Sequence, residues 1–162
     1  MKRLVALVLA IMLTFSIASF DAVAVSDEET PTVLYFSLTT DVNQQFDNEN
    51  ANTRASGLII SYGLELRKSG TTLTILGVTD CYLEVVKCGF KDLTIQRRKN
   101  SDDSWEDYYE FGNVYADATR ANLSTTLSVA SGYQYRISCK HYAKKNILSV
   151  QTVANTSNIV NV

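Results

Sequence analysis

The chain contains very little histidine, proline or cysteine. Its 162 residues include one histidine, one proline and three cysteines. The single histidine, His141, limits the acid–base and nucleophilic schemes that the chain could support. No serine lies in a G-x-S-x-G elbow, and no cysteine carries a protease signature. A formal net charge of −2 excludes the electrostatic footprint expected of a protein that binds nucleic acid or an anionic membrane.

The N-terminus has the pattern of a secretory signal peptide. A basic start, Met1–Arg3, precedes an apolar run, Leu4–Phe15, and an A-x-A cleavage site, Ala22–Ala24. The apolar run is shorter than the about 20 residues that a membrane-spanning helix needs. We therefore predict a signal peptide over residues 1–24 and a secreted, extracellular protein without a membrane anchor after its removal.

Residues 25–53 are mostly polar. Asp41–Thr53 consists almost entirely of Asn, Gln, Asp and Glu, and it can bury only Val42 and Phe46. Such a composition does not offset the entropy lost on ordering. Thr32–Thr40 has enough β-branched and aromatic residues for one short strand, and the pattern leaves open whether that strand joins the fold. We interpret residues 25–53 as a polar N-terminal linker with at most this strand.

From residue 54 onward, apolar and polar side chains alternate with a period of two. The clearest stretch, Gly132–His141, predicts a half-buried strand. Its predicted inner face consists of Tyr133, Tyr135, Ile137, Cys139 and His141. Other alternating stretches cover 58–67, 71–78, 90–98, 105–111 and 122–129, and after a loop at 144–146 a last strand covers 147–153. About seven short strands with no helical pattern predict an all-β, antiparallel, immunoglobulin- or fibronectin-III-like sandwich over residues 54–162.

The start of the Gly132–His141 strand resembles the tyrosine corner of such sandwiches. Tyr133 follows Leu127 after the short segment Ala130–Gly132. In a tyrosine corner, a tyrosine hydroxyl near the start of a strand bonds to backbone a few residues upstream. We therefore expect the Tyr133 hydroxyl to bond to the backbone near Leu127–Ala130.

The three cysteines are Cys81, Cys88 and Cys139. Export permits disulfides, and three thiols allow three single pairings. We favour a local bridge between Cys81 and Cys88, which flank a short segment between two predicted strands, and three reduced thiols are the alternative. Together with His141 they add up to a Cys₃His set, but the C-x₂₋₄-C spacing of zinc sites is missing. We expect neither a metal nor a cofactor.

Cys139 and His141 share a strand face and could approach each other. A catalytic pair would need an exposed, activated thiolate, whereas Cys139 is predicted to be buried. We therefore predict no catalytic residues and interpret His141 as a hydrogen-bonded histidine at the rim of the sandwich. The acidic turn 102–107 lacks the EF-hand pattern and is interpreted as a solvated hairpin turn.

The aromatic residues are the one suggestive feature, since the chain has nine tyrosines. Tyrosine is a rigid, amphipathic anchor for protein partners, and exposed aromatic rings can stack on sugars. The alternation assigns Tyr62, Trp105, Tyr109, Tyr133 and Tyr135 to the core. Tyr82, Tyr108, Tyr115 and Tyr142 remain as candidates for a surface that binds a protein or carbohydrate.

Several short motifs resemble a family of small exported proteins of Gram-positive bacteria known only as a domain of unknown function. They are Arg54–Gly57, Ser61–Tyr62, Leu93–Gln96, Trp105 and Tyr133–Arg136, preceded by the signal peptide. The resemblance covers residues 54–162, and it implies no activity, ligand or catalytic residue.

These features favour an exported, non-catalytic binding or interaction module. A small secreted effector, such as a bacteriocin-like toxin, is the alternative, because the chain is short and has no predicted anchor. A hydrolase ranks last because of the single histidine and the missing motifs.

The bridge can be tested by thiol titration. Since Cys81 and Cys88 are predicted to be bonded, titration of the oxidised and denatured protein should detect one free thiol. Peptide mapping should place that thiol at Cys139. A bond from Cys139 to either of the others would contradict the predicted strand facing, and three free thiols in aerobically exported protein would exclude the bridge.

Overall fold

The computed structural model describes residues 30–41, 52–53 and 57–162. The predicted signal peptide and much of the predicted linker lie outside these residues. The described part of the chain contains ten strands and no helix, so it offers no helix that could cross a membrane. The strands are β1 (Thr32–Thr39), β2 (Asn52–Thr53), β3 (Ile59–Ser69), β4 (Thr72–Cys81), β5 (Lys87–Arg98), β6 (Glu106–Ala116), β7 (Arg120–Ser128), β8 (Gln134–Asn146), β9 (Ser149–Thr156) and β10 (Val160–Asn161).

The strands form two antiparallel sheets that pack as a sandwich, as predicted. One sheet has the order β1-β7-β4-β3-β2. In the other, β8 lies between β5 and the pair β9 and β10, and β6 lies beyond β5. Of the seven strands from β3 to β9, one sheet contains β3, β4 and β7, and the other contains β5, β6, β8 and β9. This is the Greek-key arrangement of a fibronectin-III-like sandwich.

The core lies between the inner faces of the two sheets. On β8, Tyr135, Ile137, Cys139 and His141 are at most 3% exposed, so the predicted inner face of this strand is confirmed for those four residues. They share the core with fully buried side chains of β4 in the opposite sheet and of β5 beside them, which include Leu73, Ile75, Phe90, Leu93 and Ile95. The period-two pattern therefore selects the buried side chains directly.

The N-terminal sheet edge begins well before residue 54. Strand β1 pairs with β7 from Thr32 opposite Ser128 to Thr39 opposite Asn122. Leu38 packs against the core, whereas Leu34 is 58% exposed. Thr32–Thr39, which we had placed in the linker as at most a short strand, therefore belongs to the sheet. Its backbone pairing to an existing sheet edge needs few buried side chains, so composition suggests the strand but does not show that it joins the sheet.

The tyrosine corner is present, but it is formed by Tyr135 and not by Tyr133. The fully buried Tyr135 donates its hydroxyl hydrogen bond to the carbonyl oxygen of Ala130 at 2.8 Å. Tyr133 precedes the first residue of β8 and is only half-buried. The expectation for Tyr133 was therefore wrong, because the turn through Gly132, with φ of +83°, delays the strand.

Strand β6 departs from the predicted alternation. Its pairing with β5 shifts register at three places, and Tyr108, Tyr109 and Phe111 all pack against the core. Bulges of this kind change which face a side chain occupies. Trp105 was predicted for the core. Its ring instead packs against two guanidinium groups, with the ring centroid 4.4 Å from that of Arg98 and 4.3 Å from that of Arg136.

The corner assignment predicts unequal costs for two similar substitutions. Tyr135→Phe should reduce the free energy of unfolding by about 1–2 kcal/mol, because the Ala130 carbonyl loses its partner. Tyr133→Phe should cost about 0.5 kcal/mol or less. Urea unfolding of both variants measures the difference. A larger cost for Tyr133→Phe would contradict the assignment.

Candidate functional site

Two loops meet at one end of the sandwich and form a surface that we call the loop tip, residues 82–86 and 147–150. The first loop connects β4 to β5, and the second segment consists of the two-residue turn between β8 and β9 and the first two residues of β9. The amide of Val86 donates to the carbonyl of Lys144 at 2.9 Å. The Lys145 ammonium lies 3.1 Å from the Glu84 carboxylate. These contacts hold the two loops side by side.

The loop tip exposes aliphatic side chains almost completely. Leu83 is 94% exposed, Leu148 93% and Ile147 85%. Val86, Val150 and Tyr82 at the same end are 57%, 49% and 43% exposed. Singly exposed apolar residues are ordinary, whereas several strongly exposed apolar residues at the same end of the fold favour an interaction site.

The fold holds the first loop in place through buried neighbours. Val85 is only 4% exposed, and its amide bonds to the carbonyl of Tyr82 at 3.0 Å, which closes a turn with Leu83 outside. The amide of Tyr82 bonds to the carbonyl of Leu58 at 3.1 Å. The exposure of Leu83 thus follows from the anchoring of its neighbours.

The second loop is a two-residue turn. Asn146 pairs with Ser149, and the Asn146 side-chain oxygen accepts a hydrogen bond from the Leu148 amide at 2.9 Å. Ile147 and Leu148 are the two turn residues. The prediction of a loop at 144–146 is wrong, because those residues end β8 and the turn lies further along the chain.

Charged side chains surround the apolar residues. Lys87 pairs with Asp117 at 3.1 Å, as Lys145 does with Glu84. Lys144 is the strand neighbour of Lys87 in the pairing of β5 with β8. The end of the molecule therefore combines an apolar centre with a polar rim of nearly balanced charge.

The four tyrosines predicted to lie at the surface occupy different environments in the structure. Tyr82 lies in the loop tip, and Tyr108 is half-buried with its ring 5.6 Å from that of Tyr135, so it contributes to the core. Tyr115 and Tyr142 come together with ring centroids 4.6 Å apart. They flank Gly89 on neighbouring strands.

Gly89 permits the close packing around this tyrosine pair. Its φ of +148° is unfavourable for other residues, and a Cβ there would lie 2.9 Å from the Cα of Tyr115. Burial raises the pKa of the Tyr115 hydroxyl above its ordinary value, and the neighbouring Tyr142 raises it further. The pair is half-buried and covers the sheet beside the loop tip.

All three cysteines are buried, free thiols in the structure. A hydrogen bond with the Cys88 side chain raises the pKa of the Cys81 thiol, and burial raises it further. The two sulfurs therefore lie together at the base of the first loop, as their predicted bridge requires. Cys139 is 3% exposed, as its predicted facing requires. The bridge itself stays a prediction.

His141 lies inside the core and not at its rim as we expected. It is fully buried, with its ring centroid 4.9 Å from that of Tyr62 and 5.4 Å from that of Phe90. Its Nδ1 lies 2.8 Å from Thr79 Oγ1, and its Nε2 lies 3.2 Å from Asn155 Nδ2. Both ring nitrogens are therefore satisfied.

The hydrogen bonds assign the tautomer of His141. Thr79 donates its hydroxyl proton to the Gly89 carbonyl at 3.0 Å, so its oxygen accepts a proton from Nδ1. The Asn155 oxygen accepts from the Thr156 amide at 2.8 Å, which leaves the Asn155 amide nitrogen to donate to Nε2. The ring is neutral with its proton on Nδ1. Burial lowers the pKa of His141 to about 3.

Cys139 and His141 are neighbours, with Sγ 3.9 Å from Nε2. Burial raises the pKa of Cys139 to about 12, so the thiol stays protonated at neutral pH. A protonated thiol beside a neutral histidine lacks the thiolate that nucleophilic catalysis needs. In the described ranges, no group of three or more metal-ligand side chains comes together.

A polar cleft of about 270 Å³ opens at the side of the sandwich between β3 and β9, and Asn155 and Asn158 contribute to its wall. The Asn158 side chain bonds to both backbone groups of Leu66, at 2.9 Å and 2.8 Å. It therefore ties the two sheets together at this edge. Asn155 is likewise engaged, since it bonds to His141.

No family model matches the chain, and no curated protein or solved structure matches it.

The buried histidine predicts a loss of stability in acid. Since the pKa of His141 is about 3 in the folded state and 6.5 in the reference state, only the unfolded chain binds this proton between the two values. Unfolding should become easier by up to about 1.4 kcal/mol per pH unit as the pH falls through this range. Urea unfolding from pH 7 to pH 4 measures the slope, and His141→Gln should reduce it.

The ring itself provides a second measurement if the variant does not fold. His141 is the only histidine of the chain, so its Cε1 proton resonance needs no assignment by mutation. That resonance should not titrate between pH 5 and pH 8. A midpoint near 6.5 would contradict the buried, neutral ring.

Proposed function

We propose that this protein is an exported recognition module without catalytic activity, which binds its partner through the loop tip. The observation that carries the proposal is the exposure of Leu83, Ile147 and Leu148, each at 85% or more. Immunoglobulin-like sandwiches commonly bind through the loops at one end, including those between the strands that β4–β5 and β8–β9 represent here. Export rests on the signal-peptide pattern over residues 1–24.

Two further features support the proposal. The anchoring of Val85 and the short turn at Ile147 and Leu148 order both loops before any partner binds, which lowers the entropic cost of binding. The side chains of Cys139 and His141, which are the types that could take part in catalysis, are buried in the core. The resemblance to exported proteins of unknown function is compatible with this role and adds no ligand. A secreted effector remains the alternative, and it would use the same surface to reach its target.

Site-specific photocrosslinking tests the proposal. A photoreactive benzoylphenylalanine replaces Leu148 in one variant and Ile159 in the other, and the producing culture is irradiated. Ile159 is 48% exposed and follows β9, close to β10, which pairs with the other end of β8. We expect an adduct from position 148 that is absent from position 159. Equal adducts, or none from position 148, would refute the proposal.

A further inference from the structure

We propose that the loop tip inserts into the surface of a lipid bilayer, which rests on the proposed function and specifies its partner. The reasons are the residue types at the tip, the near-complete exposure of their side chains, and the polar residues around them.

The residue types fit hydrocarbon better than a protein partner. The three most exposed apolar side chains, Leu83, Ile147 and Leu148, are aliphatic. Energetically dominant residues of protein interfaces are enriched in Trp, Tyr and Arg, whereas Leu and Val are under-represented. Leu, Ile and Val are among the residues that transfer most favourably into a bilayer.

The arrangement is convex. Side chains that are 94% and 93% exposed, such as Leu83 and Leu148, have almost no protein atoms around them. Side chains this exposed project into solvent and do not line a pocket for a small ligand. A fluid bilayer accepts projecting side chains without a matching cavity.

The surrounding residues match the membrane–water interface. Lys87, Lys144 and Lys145 lie just behind the apolar residues, and lysine can keep its ammonium group in the headgroup layer while its stem is buried. Tyr82 lies at the border of the tip, 43% exposed, and tyrosine is enriched at this depth.

The charge of the rim predicts weak dependence on lipid charge. Three lysines (Lys87, Lys144 and Lys145) face two carboxylates (Glu84 and Asp117), so the excess is a single positive charge. One lysine near an anionic surface increases affinity by about fivefold. This agrees with the net charge of −2, which gives no basis for electrostatic recruitment. Apolar insertion is therefore the main driving force.

Vesicle sedimentation tests the inference directly. The protein is recovered after export, and its N-terminus is checked by mass spectrometry so that no apolar leader contributes. It should bind phosphatidylcholine vesicles, and adding phosphatidylglycerol should increase affinity by about fivefold or less. The double substitution Leu83→Ser and Leu148→Ser should reduce binding at least about tenfold. Ile159→Ser, which removes an exposed aliphatic side chain at the opposite end, should leave binding unchanged.

Tryptophan fluorescence tests the orientation. Trp105 stacks on Arg98, at the end of β5 far from Lys87 and the loop tip, so brominated phosphatidylcholine should not quench it. Leu148→Trp adds a second tryptophan in the tip, and its emission should shift to the blue and be quenched. If brominated lipid quenched Trp105 in the unsubstituted protein as strongly as it quenches the tryptophan added at position 148, the insertion geometry would be overturned.

The outcomes separate this inference from the proposed function. If the unsubstituted protein binds neither kind of vesicle, lipid insertion is refuted, while a crosslinked protein at position 148 would still uphold the recognition module. If sedimentation equilibrium shows a dimer that the double substitution dissociates, a second copy occupies the tip, and lipid insertion is refuted. If no adduct forms at position 148, the proposed function fails as well.

Discussion

The register of strand β8 is the constraint on which the rest of the sandwich depends. This strand pairs with β5 on one side and with β9 and β10 on the other. A slip by one residue would replace Ile137 and Cys139 in the core by Arg136 and Ser138. It would also move the Tyr135 hydroxyl away from Ala130. The loop tip depends on the same register, because the turn at Ile147 and Leu148 directly follows β8.

The hydrogen bonds of the buried His141 depend on the same strand register. A polar ring between two sheets is costly unless every polar atom finds a partner. The hydrogen bonds around His141 join strands on both sheets: the ring bonds to Thr79 on β4 and to Asn155 on β9, and Thr79 in turn donates to the Gly89 carbonyl on β5. A one-residue slip of any of these strands would break hydrogen bonds of this network. The network therefore specifies the alignment, whereas the same atoms placed at the surface would have suggested acid–base chemistry.

Side-chain alternation predicted the architecture well where strands are regular and half-buried. It identified the inner face of β8 from Tyr135 to His141, and it identified β3, β4, β5 and β7 with small shifts at their ends. It failed where the backbone is irregular. The bulges of β6 bring Tyr108 inward, and the delayed start of β8 transfers the corner from Tyr133 to Tyr135.

The candidate site was harder to predict for a different reason. Ile147 and Leu148 stand between two strands, and in a one-dimensional pattern an apolar pair there indicates the start of a buried strand. Exposure depends on where the two-residue turn places them, and that depends on pairing across β8 and β9. The polar stretch Asp41–Thr53 likewise separates β1 from β3 and the later strands in the sequence, so the pattern suggests a short strand at Thr32–Thr40 without showing that it pairs with β7.

In the first loop, the residue that anchors the loop in the fold, Val85, and the residue exposed for binding, Leu83, lie only two positions apart. The inward side chain of Val85 maintains the fold, while Leu83, inside the turn and almost fully exposed, can change without disturbing the residues beneath it. A change at this one position can thus alter what this end of the molecule binds. The same division makes the sandwich a scaffold on which new binding loops could be selected.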